Sequence, residues 1–477
     1  MVLAATLMSL LLATNLAEAA TVVDPNPCIN PVTLGATPND DVSDRVAFQA
    51  AIDLAASHGV GTLCIPEGRF VFERPPLSSY NRFAALSTHG SNIAFKGAEP
   101  FALPISAFPP PLLEVLPRPR SVLALRGDQG GTSTLLMSLD PSATNISFEW
   151  IEFDGSAATN TDEQTHLLAT SGICSTALGT CNPISGVTVR RCSFLHPRSL
   201  WRRGDSIRLL GNAAATYVED VTIEDNDFLD AGRSAVELQR NLKRVRITGN
   251  RINCVSCDQA IDGEATGVVA GLEDEDITIV DNVVLNGSGA QGDYDIALTS
   301  AIRAEIARNT LVRGIALVRS RFVKIHDQKM LATMVGAGGV IEVTNVCEGL
   351  VIDTVTIVRS GIAGPLIRVV PTTNGHCTDF KVLTSRLIQR TASFGVFSQA
   401  TNGEVKDNLF VWSDVPTKGP AAIFGAGTAA PVTSFIATGN LVVGNLQAVV
   451  SVQGSLTGLV HANEAVGTSV MCLGAGC

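Results

Sequence analysis

Four segments decide the fold: Val221-Thr-Ile-Glu-Asp-Asn226, Val245-Arg-Ile-Thr-Gly-Asn250, Ile277-Thr-Ile-Val-Asp-Asn282 and Ala304-Glu-Ile-Ala-Arg-Asn309. Each is a short alternating run closed by Asn. After a turn of variable length each is followed by a second short strand, Ala235-Val-Glu-Leu-Gln239, Ala260-Ile-Asp-Gly-Glu264, Asp295-Ile-Ala-Leu-Thr299 and Gly314-Ile-Ala-Leu-Val318. Self-similarity at this period marks stacked repeats. A unit this small cannot bury its own apolar face, so neighbouring units must stack to build a core.

Working outward, the second strand can be registered along most of the chain. Aligning the residue after the inward apolar one gives a column: Arg208, Glu237, Asp262, Ala297, Ala316, Glu342, Arg368, Phe397, Phe424 and Ser451. The steps range from 19 to 35 residues, which means loops of variable length on a constant scaffold. Period-two alternation turns the column outward, because Ile207, Val236, Ile261, Ile296, Ile341 and Ile367 just before it face in. The series Asn226, Asn250, Asn282, Asn309, Asn408 and Asn440 reads as an internal ladder of stacked amides.

The 477 residues are 45% hydrophobic, enough for a large core, and 43 Gly with 5% aromatic residues suit many short strands and tight turns. A net charge of −11 argues against general nucleic-acid binding, which needs a basic face. Residues 1–19 read as a secretory signal, with an apolar run from Leu3 to Ala13 and an Ala17-Glu-Ala19 cleavage site, although no Lys or Arg precedes the run. No later stretch is apolar enough to span a bilayer, so no stable membrane association is expected. Oligomeric state is not readable. Eleven Cys support export. Cys174/Cys181, Cys254/Cys257 and Cys472/Cys477 form close pairs. Cys28 and Cys64 flank the N-terminal region, and Cys347 and Cys377 occupy similar places in successive repeats. Cys192 alternates with Val187 and Val189 and reads as a buried thiol.

Before the repeats, Val46-Ala-Phe-Gln-Ala-Ala-Ile-Asp-Leu-Ala-Ala56 places Phe48, Ile52 and Ala55 on one helical stripe, with Ser43 as the expected N-cap. The stretch Leu34–Phe72, "LGATPNDDVSDRVAFQAAIDLAASHGVGTLCIPEGRFVF", resembles the N-terminal opening of the pectate-lyase-like right-handed parallel β-helix superfamily. It is similar to the branch holding rhamnogalacturonase- and epimerase-like proteins. The resemblance implies that the helix caps the stack and that Ile65-Pro-Glu-Gly-Arg-Phe70 begins the coils. The expected fold is therefore all-β, a right-handed parallel β-helix with a short capping α-helix. Residues 20–120 would form the cap and first coils, with a surface excursion over the seven prolines of 100–119, and 121–477 the remaining coils and a C-terminal closure. Together, 20–477 would be one domain.

Adjacent coils lie about 4.8 Å apart, so the register makes Glu237 and Asp262 direct neighbours. Glu264, two residues on, faces the same way. Arg208 is one coil earlier and Asp295 one coil later. Carboxylates this close raise at least one pKa unless a cation sits between them, which is costly for stability and useful for chemistry. Asp227, Asp230, Arg233, Asp258, Asp293 and Tyr294 lie in turns leading into the same strands. Trp201, Arg202 and Arg203 form the one cluster of Trp and Arg, suited to sugar stacking and to an acidic glycan. His166 and His196 could approach from their loops.

Three uses fit. A pair of carboxyl groups can hydrolyse a glycosidic bond. Glu237, Asp262 and Asp295 can hold Ca²⁺ through oxygen, with Arg208 or Arg233 as base or charge stabiliser, as the resemblance implies for a lyase. Or the column is simply a polar outer face. The Gly-His-Gly motif of polygalacturonases does not occur. The expected function, as the resemblance implies, is cleavage of a polysaccharide, acidic in character, by hydrolysis or β-elimination. Glu237, Asp262, Glu264, Arg208 and Arg233 would be catalytic, and Trp201, Arg202, Arg203, Tyr294 and Asp295 would bind substrate. The alternative is a non-catalytic glycan-binding or adhesive surface protein.

Overall fold

The computed structural model describes residues 28–473 except 60, 74–83, 89, 101–117, 127–132, 157–163, 171–182, 196, 198–203, 212–215, 230–231, 254–256, 265–270, 287–293, 333–337, 362, 372–375, 414–417, 427–434, 454–457 and 469–470. The signal segment and most of the proline-rich stretch therefore lie outside the described residues. So do Cys174, Cys181, Cys254 and Cys477.

Short alternating strands stack in parallel from one end of the chain to the other, in three ladders. One is a 14-stranded sheet running from Gly68–Phe72 to Glu464–Val466. The other two share a 31-stranded sheet. Of these, one runs from Ala84–Thr88 to Cys472–Leu473 and the other from Cys28–Ile29 to Gly458–His461. They merge where Ile315–Arg321 and Ile341–Glu348 pair in both. The architecture is a right-handed parallel β-helix, the hand that parallel crossovers almost always take.

The apolar residues of each strand point into the coil and are almost fully buried. Like residues sit on like from rung to rung. The rings of Phe153, Phe194 and Phe228 stack at 5.0 Å, and Phe95 lies 4.7 Å from Phe148. At one corner the interior is polar, and there the expected asparagine ladder is found. The Asn250 side chain illustrates it. Its Oδ1 accepts from the Asn226 N–H and Nδ2, both at 3.0 Å. Its Nδ2 donates to the Ile223 carbonyl and to Asn282 Oδ1, both at 2.9 Å. The run continues through Asn309 to Gln328, and a second joins Asn408, Asn440 and Asn463. These amides satisfy backbone groups that have no water to turn to. Asn250→Ala is expected to lower the free energy of unfolding by about 2–3 kcal/mol, since it strands buried donors and an acceptor. Urea denaturation midpoints of the variant and parent check this.

The capping helix α1 (Arg45–His58) buries Phe48, Ile52 and Ala55 against the first coil, with the Phe48 ring edge-on to Phe70 and Phe72 at 5.0 Å. Its N-cap position is Asp44, not Ser43. The reason is tertiary. The Asp44 carboxylate accepts from the Thr37 N–H (2.7 Å) and the Val71 N–H (3.1 Å), pinning the helix start to the first strands. At the far end, Val466, Met471 and Leu473 are exposed on the last rung, so no such cover is seen among the described residues.

Cys28–Cys64 and Cys347–Cys377 are disulfides, the second between directly facing residues of adjacent rungs. Cys257 and Cys472 are also disulfide-bonded. Cys192 is a free buried thiol whose pKa burial pushes up to about 12.

Candidate active site

Four neighbouring strands position the site: β1 (Gln164–Thr170), β2 (Asp205–Leu210), β3 (Ser234–Gln239) and β4 (Ile261–Gly263). Their pairings place Ala169 opposite Arg208, Arg208 opposite Glu237, Glu237 opposite Asp262 and Asp262 opposite Ala297. The remaining rungs follow the sequence-derived column through Ala316, Glu342, Arg368, Phe397, Phe424 and Ser451. The register is fixed from inside. Ile207, Val236, Ile261 and Ile296 fill the core, and a one-residue slip would carry Glu237 into it.

Glu237 points away from the apolar core yet is fully buried, at the centre of an ion network. Arg208 Nε lies 3.0 Å from Glu237 Oε2, an ion pair without hydrogen-bond geometry, and Arg233 Nη2 lies 2.8 Å from Glu237 Oε1. Arg233 also grips Asp205 with both ends of its fork, Nε to Oδ1 at 3.1 Å and Nη2 to Oδ2 at 2.8 Å. Gln239 Nε2 donates to Glu237 Oε1 (3.1 Å) while its Oε1 accepts from Arg208 Nη2 (2.6 Å). His166 closes the network from β1. Its Nδ1 is 2.9 Å from Asp205 Oδ2, and its Nε2 is 3.4 Å from Arg208 Nη1. Burial drives the His166 pKa below its usual value despite the Asp205 carboxylate, so the ring is neutral at pH 7. His166 Nδ1 lies against both the carboxylate and the backbone N–H of Asp205, the latter at 3.3 Å, while Nε2 faces the guanidinium.

Asp205 and Glu237 share one proton. Burial, then the charge and hydrogen bond of Asp205, push Glu237 up to about 10 against the pull of both arginines. Burial works against ionised Asp205 as well. There, however, the hydrogen bond from His166, the charge of Arg233 and the hydrogen bond from Glu237 prevail and hold it well below the carboxylate range. Arg233 is partly buried, but Asp205, Glu237 and Glu264 hold its charge more firmly than usual.

Asp262 differs from every carboxyl group around it. It is half-buried, and it makes no hydrogen bond or ion pair among the described residues. Burial, then the charges of Glu264, Asp205 and Asp258, push it up to about 7, with Arg233 opposing. Glu264 lies two residues on. Its side chain is 42% exposed, and its Oε2 is 3.9 Å from Arg233 Nη1 and 3.5 Å from Gln239 Nε2.

Asp295 is not part of this cleft as a metal ligand or sugar contact. It is fully buried and committed. Its Oδ1 accepts from Arg313 Nε (3.0 Å), and its Oδ2 accepts from the N–H groups of Val312 (2.8 Å) and Arg313 (2.7 Å). Arg313 then donates from Nη1 to the Asp258 carbonyl (3.1 Å), tying together the turns that enter β4 and the next strand. Tyr294 sets its hydroxyl against Gly338, on the rung of Glu342, which Arg368 pairs. Trp201, Arg202, Arg203, His196, Asp230 and Asp293 lie outside the described residues. Asp227 belongs to a different face, described below.

Among the described residues, the ligand atoms that come close enough to share an ion are those of His166, Asp205 and Glu237, all within 4.8 Å of one another. The expected set of Glu237, Asp262 and Asp295 is not such a group, because Asp295 is turned into Arg313. The set that does converge fits Ca²⁺ poorly. Calcium takes six to eight oxygens, whereas this set offers an imidazole and two carboxyl groups already held by Arg208 and Arg233.

Sequence reasoning missed Asp205 and Gln239 and placed His166 on a loop. Gln239 was legible, since it shares a face with Glu237 two residues away. Asp205 opens β2 directly after Gly204, where period-two alternation has no earlier residue to anchor it. His166 sits in a strand whose pattern, Gln-Thr-His-Leu-Leu-Ala-Thr, does not alternate.

No family model and no curated protein matches the chain. Among solved structures, the chain is similar to the A-module of a mannuronan C-5 epimerase from Azotobacter vinelandii, at 12% identity and a TM-score of 0.45, covering 94% of this chain and 97% of that one. It is similar to a surface adhesin of Streptococcus pneumoniae, at 12% identity and a TM-score of 0.48, covering 93% and 92%. It is also similar to an exopolygalacturonase from Thermotoga maritima, at 13% identity and a TM-score of 0.40, covering 93% and 92%. At these values no chemistry passes from them to this chain.

Proposed function

We propose that the protein is an extracellular polysaccharide hydrolase that works by general acid–base catalysis on the outer face of the β-helix. One observation carries the reading: Asp262 is a half-exposed carboxyl group without a partner among the described residues, held near neutrality, beside a second carboxyl group facing the same way. Asp262 is the acid that protonates the leaving oxygen. Glu264 is the base that activates water. Two residues of extended backbone put their Cα atoms about 6.6 Å apart, close enough for both carboxyl groups to reach one glycosidic bond, as paired-carboxyl hydrolysis requires. Glu237, buried beneath them, is a positioning residue, as are Arg208, Arg233, Asp205, Gln239 and His166. Their closed network fixes the strand that presents Asp262, whose pKa is raised by burial first and then by the charges of Glu264 and Asp205, with Arg233 opposing.

β-Elimination needs a base beside the uronate. Arg233 is held charged by three carboxyl groups, and His166 is buried, so neither is available to take a carbon-bound proton. Arg208 and Arg233 are engaged with carboxyl groups, and the Arg198–Arg203 segment that suggested an acidic glycan lies outside the described residues. A neutral glycan therefore fits the described site better. The disulfides support an exported location.

The test is incubation with a panel of neutral and acidic polysaccharides, reading new reducing ends together with the absorbance of unsaturated products. Reducing ends without that absorbance are expected, whereas unsaturated ends would overturn hydrolysis. Chelation of divalent ions by EDTA is expected to leave the rate unchanged, and a loss restored by Ca²⁺ would bring the calcium reading back.

A further inference from the structure

A second concavity lies on another side of the same coils. At the corner between Thr144–Glu149 and Ile151–Asp154, and at the equivalent corners above it, one residue per coil takes the left-handed conformation: Trp150 (φ 57), Arg191 (φ 52), Asp225 (φ 54) and Gly249 (φ 67). Rung-to-rung bonds hold this geometry, Asp225 N–H to the Thr248 carbonyl at 3.1 Å and Gly249 N–H to the Val280 carbonyl at 3.2 Å. Two rungs further on, the same column is closed by the bidentate pair Arg308–Asp281, at 2.8 and 2.9 Å. Here the pairing is broken. Beside Asp225 stands Gly249, whose missing side chain leaves Asp225 without a partner among the described residues.

The opening is a cavity of about 240 Å³ lined by Trp150, Arg191, Ser193, Asp225, Asp227 and Arg251. The Arg191 guanidinium lies over the Trp150 ring, 5.5 Å from its centroid, and leaves the ring's edge and opposite face as the surfaces a ligand could meet. The decisive residue is Asp227. Its side chain leaves the 14-stranded sheet on the outer side, between Ser193 and Arg251 of the adjacent rungs. It is only 5% exposed, and its carboxyl group makes no hydrogen bond or ion pair among the described residues. Its carboxyl group faces the cavity, so a ligand there meets an acceptor that no described side chain engages. Burial raises its pKa, against the charges of Arg251 and Arg118.

We propose that this cavity binds a single neutral sugar ring, making it a second carbohydrate site separate from the acid pair. The lining contains two guanidinium and two carboxyl groups, which disfavours both an anion and a bare cation. An indole beside polar donors and acceptors suits a ligand with one apolar face and a rim of hydroxyls. The small volume, about 240 Å³, suits one ring. Such a site would hold a chain end or a branch while the acid pair works on the same coils, and it holds whether or not that pair is catalytic.

The experiment uses the full chain and a panel of methyl glycosides of neutral hexoses and 6-deoxyhexoses, with ligand-observed saturation-transfer NMR as the readout. At least one glycoside is expected to bind saturably. Binding should weaken about tenfold or more in Asp227→Asn, which preserves shape, and in Trp150→Ala, which lies half-exposed at a corner. It should persist in Asp262→Asn. Thermal melts of each variant exclude unfolding. The proposal is overturned if no glycoside saturates, if binding survives both cavity variants, or if it is lost only in Asp262→Asn. That last outcome would place the sugar in the acid cleft and leave the hydrolase reading intact.

Discussion

Asp262→Asn is expected to lower kcat/KM on the cleaved polysaccharide by about 10²–10⁴-fold, the usual contribution of a positioned general acid. The fold should be retained, for a reason specific to this residue. Its carboxyl group makes no bond among the described residues, so the amide breaks nothing. Stability should even rise at alkaline pH, and the sign follows from linkage. The folded group holds its proton up to about 7, whereas the unfolded one releases it near the ordinary value of 3.8. Between those values the native state binds the extra proton, so this group makes the parent less stable as pH rises, until the penalty is complete above about 7. Asn carries no such penalty. Polysaccharide assays alongside thermal melts at pH 5 and pH 8 check both halves. Full activity in the variant would remove Asp262 from catalysis.

The largest effect on stability is expected at Asp295. Asp295→Ala should cost about 3–5 kcal/mol, the range found when one member of a buried ion pair is removed. The Arg313 side chain is 1% exposed and that of Asp295 0%, so no water can replace the lost counter-charge. Two backbone N–H groups lose their acceptor as well. Because Arg313 also holds the turn before β4, the loss should be felt at the acid pair, with weaker activity accompanying the lower stability. Guanidinium denaturation reads the first effect. An unchanged midpoint would mean that the pair is not the brace described.

Much of this was legible before the structure. The ten-residue column from Arg208 to Ser451 is reproduced rung by rung, because inward Ile and Val residues mark a period of two and no other register buries them all. The asparagine ladder was legible for a related reason, since Asn recurs one residue after each strand's left-handed corner. What was not legible is how side chains on that column share charge. Sequence places Glu237 and Asp262 side by side but does not show that two arginines and Asp205 enclose Glu237 and leave Asp262 alone. It could not show that Asp295, with the same outward parity as Ala297, folds back onto an arginine eighteen residues later. Nor could it show that Asp227 would end buried on a different face from Glu237, ten positions away. Each of these depends on the path of a turn, and turns here vary in length from coil to coil.

The pH dependence of kcat/KM is the most direct test of an acid poised near neutrality on the outer face of the coil. With the polysaccharide that the protein cleaves, the rate is expected to fall as pH rises through about 7, in step with loss of the Asp262 proton. That alkaline limb should vanish from the residual activity of Asp262→Asn. A rate that stays level from pH 5 to 9, or an alkaline limb that survives in the variant, would contradict it.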